Sequence, residues 1–293
     1  MSTPTFRLWL ATTRPKTLPA AAAPVLVGTA LAAQAGAFHA PSALAALAFA
    51  LLIQIGTNFA NDYFDHHQGA DTDARQGPRR ALQQGAVSAS TMGRVTAATF
   101  ALAALVSLYL LARAGWSLAV VAALSIFCGV WYTAGKKSLA YLGIADLFVV
   151  VFFGPVAVAG TYLAQTRVFD WTPVLAGLST GLIATGLLVI NNLRDVDEDR
   201  AAAKRTLAVR FGRTFVRAEY TAVLFLAVVI PGLLVGRGML PPGVLITGFV
   251  WVLALPTLKG VWTRTGAALN PLLGATGRLL LLFTALFCGG LWL

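Results

Sequence analysis

The acids of this chain are few, and most fall into two groups. Asp62, Asp65, Asp71 and Asp73 form one; Asp195, Asp197, Glu198 and Asp199 form the other. Eight of the 11 acidic residues therefore lie in two short stretches about 130 residues apart. Each group opens on asparagine: Asn58 and Asn61 in the first, Asn191 and Asn192 in the second. Asn61 and Asp65 are four residues apart and share one face of a helix. Asn191, Asp195 and Asp199 extend that spacing and stack in one column if the helix runs that far. Carboxylate and amide oxygens are hard ligands suited to Mg²⁺, which is usually held by a few carboxylates together with substrate phosphates. Bases follow each group, with Arg75, Arg79 and Arg80 after the first and Arg194, Arg200, Lys204 and Arg205 around the second. Arg forks match phosphate oxygens and Lys acts as a point charge. Acids for metal and bases for phosphate together outline a diphosphate site. Solvated loop charge is the plainer account of a single cluster, but two clusters with the same asparagine-led helical spacing argue for a site.

The elements that must position these residues follow from composition. Of 293 residues, 58% are hydrophobic and 11% charged, and mean hydropathy is +0.76. Soluble domains carry about a quarter charged residues, so a soluble globular enzyme is excluded. The net charge of +11 comes from 11 acids against 22 Lys and Arg. That is a scarcity of acid rather than a basic surface, and it excludes a nucleic-acid binder. A lipid bilayer is the partner the composition requires. The expectation is an all-α polytopic membrane protein forming a single domain over 1–293.

Apolar runs of about 20 residues predict nine spans, near 17–37, 41–65, 91–112, 116–134, 141–165, 171–195, 214–235, 241–261 and 273–293. With the N-terminus cytoplasmic, 19 of the 22 Lys and Arg residues fall on the cytoplasmic side, as the positive-inside rule demands. Both acid clusters fall on that side too, at the ends of the second and sixth spans and in the two long loops that follow them, 66–90 and 196–213. Arg14, Pro15 and Lys16 interrupt the first apolar patch, which argues against a cleavable signal. Cys128 and Cys288 lie in apolar runs at different depths and read as packing residues.

With spans and clusters placed, the motifs resemble the UbiA superfamily of intramembrane aromatic prenyltransferases. Asn61-Asp62-Tyr63-Phe64-Asp65, with Gly69, Asp71, Arg75, Gly77-Pro78 and Arg79, is similar to the family's first aspartate motif. Asn191-Asn192-Leu193-Arg194-Asp195, with Asp199-Arg200 and Lys204 to Val209, is similar to the second. Arg14 to Leu18, Tyr132 to Gly135 and Tyr141 to Pro155 resemble the 1,4-dihydroxy-2-naphthoate polyprenyltransferase (MenA) branch of menaquinone synthesis. The sequence departs from that branch at Ala145 and at Lys136-Lys137-Ser138. The resemblance covers the first six spans and the loop after them, and thins beyond residue 213.

The resemblance implies Mg²⁺-dependent transfer of a prenyl group from a polyprenyl diphosphate to 1,4-dihydroxy-2-naphthoate, in a bacterial inner membrane. It implies that Asn61, Asp65 and Asp71, with Asp62 beside them, serve one Mg²⁺, and that Asn191, Asn192, Asp195 and Asp199 serve another. Arg75, Arg79, Arg194 and Lys204 would contact the diphosphate. Another aromatic acceptor, such as 4-hydroxybenzoate or homogentisate, is the alternative within the superfamily. A cation-coupled transporter is the alternative outside it, although acids gathered at one face speak against a midplane cation path.

Asp146 lies inside the fifth span, where a carboxylate is a functional candidate by default. Tyr132 and Lys136 lie at the cytoplasmic end of the fourth span and could reach the same cavity. Asp146, Tyr132 and Lys136 are therefore the expected acceptor contacts, and Asp146 and Tyr132 join Asp65 and Asp195 as expected catalytic residues. His66 and His67 are adjacent, without the i, i+4 spacing of a helical zinc site. Asp170 and Glu219 carry no motif.

Overall fold

The computed structural model describes residues 6–69, 76–77, 80–135 and 137–293. Among the described residues the regular structure is all helical. A short helix α1 (Phe6–Thr12) leads through a 3₁₀ turn (Pro15–Thr17) into α2 (Leu18–Gln34). Then follow α3 (Ala40–His67), α4 (Ala89–Ala114), α5 (Trp116–Trp131) and one turn, α6 (Leu139–Leu142). Helices α7 (Ala145–Val151) and α8 (Ala157–Thr166) form one span across a π-turn (Phe152–Val156), and α9 (Trp171–Arg194) and the short α10 (Val196–Ala201) follow. The chain ends with α11 (Leu207–Gly236), α12 (Phe249–Thr263) and α13 (Asn270–Gly290).

Eight segments of the described residues are long and apolar enough to cross a membrane, and the protein is an integral membrane protein. All nine expected spans correspond to helices. The one at 116–134 is shorter than expected: α5 has 16 residues, about 24 Å at 1.5 Å per residue, against a hydrocarbon core of about 30 Å. Pro256 and Gly274, each inside an expected span, leave α12 and α13 unbroken; packed neighbours in lipid tolerate such residues. The helix ends are capped as their sequences suggest. Ser88 accepts from Thr91 N–H, Asp170 from Thr172 N–H, and Thr206 from Val209 N–H.

The loops expected at 66–90 and 196–213 are partly structured. Ala81, Leu82 and Val87 are buried against Phe59 and Met92, with Trp9 of α1 packed on the same cluster. Residues 196–201 form α10, and α11 starts at Leu207 with a break at Gly212 (φ 84°). These segments lie across the ends of α3 and α9, where the acid clusters are.

Helix α9 is the axis of the bundle. Ala176, Gly177, Ile183, Ala184, Leu187 and Ile190 are buried in a core shared with α2, α11 and α13. Lipid tails are as apolar as leucine, so close backbone approach rather than hydrophobicity holds such helices together. The closest approach is to the π-turn. Gly154 leaves helical geometry (φ −123°, ψ −109°) and faces Gly177 and Gly181 of α9. A Cβ on Gly177 would stand 2.8 Å from the Gly154 carbonyl oxygen and from Pro155 N, all of it backbone. Gly177→Leu is therefore expected to lower the yield of folded, monodisperse protein and its melting temperature sharply, at a cost of several kcal/mol as for severe overpacking. Wild-type melting in detergent would contradict this account of the π-turn.

At the membrane end away from the acids, a polar cluster ties four helices. The Arg113 guanidinium donates to Ser42 Oγ and to the Gln165 carbonyl, and Gln165 Nε2 donates to Thr29 Oγ1. This closes the bundle beneath the cavity described next.

Candidate active site

The last turns of α3 carry Asn58, Asn61, Asp62 and Asp65. Asp65 is 1% exposed. Its Oδ2 lies 2.7 Å from Arg80 Nη1, whereas Oδ1 has no hydrogen-bond partner and stands 3.6 Å from Lys204 Nζ. Asp62, also buried, accepts from Arg14 Nη2 at 2.6 Å and lies 3.4 Å from Arg80 Nε. Arg14 Nη2 also reaches Asn61 Oδ1 at 3.3 Å, and Arg80 Nη1 donates to the Asn61 carbonyl. Arg14 takes a left-handed backbone (φ 52°, ψ 68°) between α1 and the 3₁₀ turn, a conformation that non-glycine residues hold only when their surroundings impose it. Asn58 Nδ2 donates to the Thr13 carbonyl and fastens this linker from below.

The second cluster is bent rather than stacked. Helix α9 stops at Arg194, and Asp195 (φ −97°, ψ 12°) separates it from α10. The expected column Asn191–Asp195–Asp199 is thus broken at its middle member, although the Asp195 and Asp199 amides still donate to the carbonyls four residues back. The bend carries Asp199 over the mouth of the cavity. Asp195 receives both Nε and Nη2 of Arg194 at 2.6 Å each. Lys204 Nζ lies 3.7 Å from Asp199 and so spans Asp65 of the first cluster and Asp199 of the second. Burial pushes the Asp199 carboxyl up to about 7; Lys204 opposes this, and Asp195, Asp65 and Glu198 reinforce it.

These groups open onto one cavity of about 310 Å³. Its polar end is lined by Arg14, Asn61, Asp65, Arg80, Asn191, Asn192, Arg194, Asp195, Asp199, Lys204, Tyr132 and Thr133. Its length is apolar, with Phe49, Phe148, Phe152 and Phe153 and, at the far end, Ala46, Leu110, Leu118 and Ala164. The π-turn places Phe152 and Phe153 in this wall, and Phe148 stacks on Phe152 with centroids 6.1 Å apart. A polar, charge-dense mouth leading into an aromatic-walled apolar channel suits an amphiphile with an anionic head and a hydrocarbon tail.

The structure brings Asn61, Asp65, Asn191, Asn192, Asp195, Asp199, Arg194, Lys204 and Tyr132 to one cavity. Asp62 is at the site but faces Arg14 and Arg80 and does not line the cavity. Asp146 is buried at the start of α7, with Oδ1 unpartnered, and also lies outside the lining. Asp71, Arg75, Arg79 and Lys136 lie outside the described residues. His66 and His67 end α3, and His67 Nδ1 bonds to the Tyr63 carbonyl.

Sequence reasoning placed Arg80 in the site only as one of the run of bases after the first motif, and did not assign Arg14 or Asn270 to it. Arg14 falls within a motif-like stretch and Arg80 in the base run, so a signal existed for both. Asn270, whose Oδ1 accepts from Arg194 Nη1 at 2.9 Å, carried none.

The donor set fits a hard divalent cation. Oxygens of Asn61, Asp65, Asn191, Asn192, Asp195 and Asp199 line the mouth, and one buried Asp65 oxygen has no hydrogen-bond partner. Among the described residues no group of three acidic, His or Cys side chains converges on one point; amide oxygens and substrate phosphates would complete the shell, as Mg²⁺ prefers.

A helical membrane bundle with two facing aspartate motifs over an apolar channel defines a class, and the chain belongs to it: residues 21–286 match the UbiA prenyltransferase family. That match runs well past residue 213, where the motif resemblance thins. The chain is 41% identical to a 1,4-dihydroxy-2-naphthoate octaprenyltransferase of Mycobacterium tuberculosis, over 98% of this chain and 97% of that one. It is 34% identical to the enzyme of the same name from Haemophilus influenzae, over 97% and 96%. Its fold is also that of a UbiA homolog from Archaeoglobus fulgidus bound to GPP and Mg²⁺, with TM-score 0.66, 14% identity and coverage of 97% and 99%.

Proposed function

We propose that this protein transfers a polyprenyl group from a polyprenyl diphosphate to 1,4-dihydroxy-2-naphthoate, with release of diphosphate and CO₂, as a step of menaquinone synthesis. The observation that carries this reading is the meeting of both aspartate clusters at Lys204 over an aromatic-walled channel. The similarity to two dihydroxynaphthoate octaprenyltransferases over nearly the whole chain supports the acceptor. The metal would be Mg²⁺, which Asn61, Asp65, Asn191, Asn192, Asp195 and Asp199 would hold; Asp71, expected beside them, lies outside the described residues. When bound, the ion supplies Lewis-acid stabilisation of charge on the departing diphosphate.

The chain's own residues do the rest. Lys204 and Arg80 are cations at the mouth, and Asp62 pins Arg80 and Arg14 so that their charge points at the head group. Fixed charges of this kind act without reorganising during reaction. The tail lies in the apolar channel, and the allylic C–O bond breaks with its electron pair on the diphosphate. The face of Phe148 or Phe152 stabilises the positive carbon left behind while the channel excludes water. The electron-rich ring carbon that bears the carboxylate bonds to that carbon, and CO₂ leaves with its bonding pair returned to the ring. No proton leaves the attacked carbon, so the acceptor half of the site needs no base there. Tyr132, facing the cavity, orients an acceptor hydroxyl, and Asp146 acts on it from behind the wall. The expected positive-inside split of 19 of 22 basic residues supports a site at the cytoplasmic face of a bacterial inner membrane.

Purified protein given Mg²⁺, farnesyl diphosphate and carboxyl-labelled dihydroxynaphthoate is expected to release labelled CO₂ in step with prenylated product. With 4-hydroxybenzoate, whose attacked carbon carries hydrogen, it is expected to give no product. Turnover of 4-hydroxybenzoate alone would overturn the acceptor assignment and leave prenyl transfer standing.

A further inference from the structure

Arg194 uses three nitrogens in the structure. Nε and Nη2 hold Asp195, and Nη1 donates to Asn270 Oδ1 at 2.9 Å, at the first residue of α13. The other end of the same amide donates onward, from Asn270 Nδ2 to the Gln76 carbonyl at 3.1 Å. Gln76 N–H in turn donates to Glu198 Oε1 in α10. Gln76 lies between Arg75 and Gly77 in the later part of the first aspartate motif; Arg194, Asp195 and Glu198 belong to the second. The orientation of the amide is set by its partners: turned over, it would present N–H groups to a guanidinium and an oxygen to a carbonyl. One side chain from a third part of the chain thus bonds to both motif regions at once, and it does so from the helix least covered by the motif resemblance.

We propose that Asn270 is a positioning residue for the diphosphate half of the site. It anchors Arg194 in the cavity wall independently of Asp195, and it holds the Gln76 backbone against the second motif. A guanidinium held only by Asp195 would be free to leave whenever that carboxylate turned to another cation; the Asn270 bond keeps it at the mouth. This rests on reading the site as a diphosphate site, and the acceptor half does not enter it.

The test uses the full chain in detergent and binding of farnesyl thiolodiphosphate, a slowly reacting analogue, with Mg²⁺ by titration calorimetry. Asn270→Ala loses both bonds, one of them to a charged group, and is expected to bind about tenfold more weakly. The KM for dihydroxynaphthoate should stay within about twofold, and the melting temperature within a few degrees, of wild type. Asn270→Asp keeps an acceptor for Arg194 but loses the donor to Gln76, and is expected to bind about threefold more weakly. Wild-type affinity in Asn270→Ala would overturn the proposal. So would a parallel rise in both KM values together with a large fall in melting temperature, since that is what a packing role alone would produce. Wild-type affinity in Asn270→Asp would overturn the bridge to Gln76. If wild-type protein binds the analogue but does not turn over dihydroxynaphthoate, the acceptor reading fails while this inference stands.

Discussion

Asp195→Asn is expected to lower kcat for prenyl transfer by about 10³-fold or more while the protein still folds. The size follows from removing a full charge from a site that works by electrostatic stabilisation, where one lost group typically costs about 10²–10³ and a metal ligand more. The retained fold follows from geometry. Asp195 is a single residue between α9 and α10, and its backbone bonds to Asn191 and Asp199 do not use the side chain. Its partner Arg194 keeps a second anchor in Asn270 when the carboxylate becomes an amide, so no guanidinium is left buried without a partner. Thermal melting in detergent should shift by only a few degrees, and raising Mg²⁺ should not restore activity. Activity within about tenfold of wild type would remove Asp195 from the metal set.

Asp62→Asn is expected to act differently, through stability and through the bases. Asp62 is buried, faces two guanidiniums, and does not line the cavity. Breaking a buried ion pair by removing one partner costs about 3–5 kcal/mol. Arg14 is about one-third exposed, so its share is partly screened, and Arg80 keeps its 2.7 Å bridge to Asp65, so a loss of about 1–3 kcal/mol is expected, below the cost of an orphaned buried charge. The melting temperature should therefore fall clearly. With Arg14 and Arg80 less constrained, KM for the prenyl diphosphate should rise, while the Mg²⁺ concentration giving half-maximal rate stays near its wild-type value. A large shift in that Mg²⁺ dependence, with stability unchanged, would instead make Asp62 a metal ligand, as its place beside Asp65 in the motif suggests.

The contrast between these two aspartates shows what sequence spacing can convey. Helical period alone puts Asn61 and Asp65 on one face, and the structure has both in the cavity. The same period cannot say that Asp62, one residue on from Asn61, turns to Arg14, because Arg14 reaches it only through a linker in a left-handed conformation. Nor does period reveal where a helix ends. The Asn191–Asp195–Asp199 column assumes a continuous helix, whereas α9 stops at Arg194. That break sets Asp199 against Lys204. Asp146 was legible as an intramembrane acid, but which side of the wall it occupies depends on the turns before α7.

From the chain alone came the properties that depend on near neighbours. The bilayer offers no water to backbone groups, so each span must satisfy its hydrogen bonds within itself, and an apolar run of sufficient length announces a helix wherever it later packs. The positive-inside bias and the clustering of eight acids into two asparagine-led stretches are likewise visible without a fold. Tertiary structure alone decided which charges meet. Lys204 bridges Asp65 and Asp199, Asp62 gathers Arg14 and Arg80, and Asn270 joins Arg194 to Gln76. It also decided the cavity, because the approach of Gly154 to Gly177 that sets Phe152 and Phe153 in its wall is a contact between two spans. Ion pairs and helix contacts of this kind depend on distances of a few ångströms between elements far apart in sequence, and no local period encodes them.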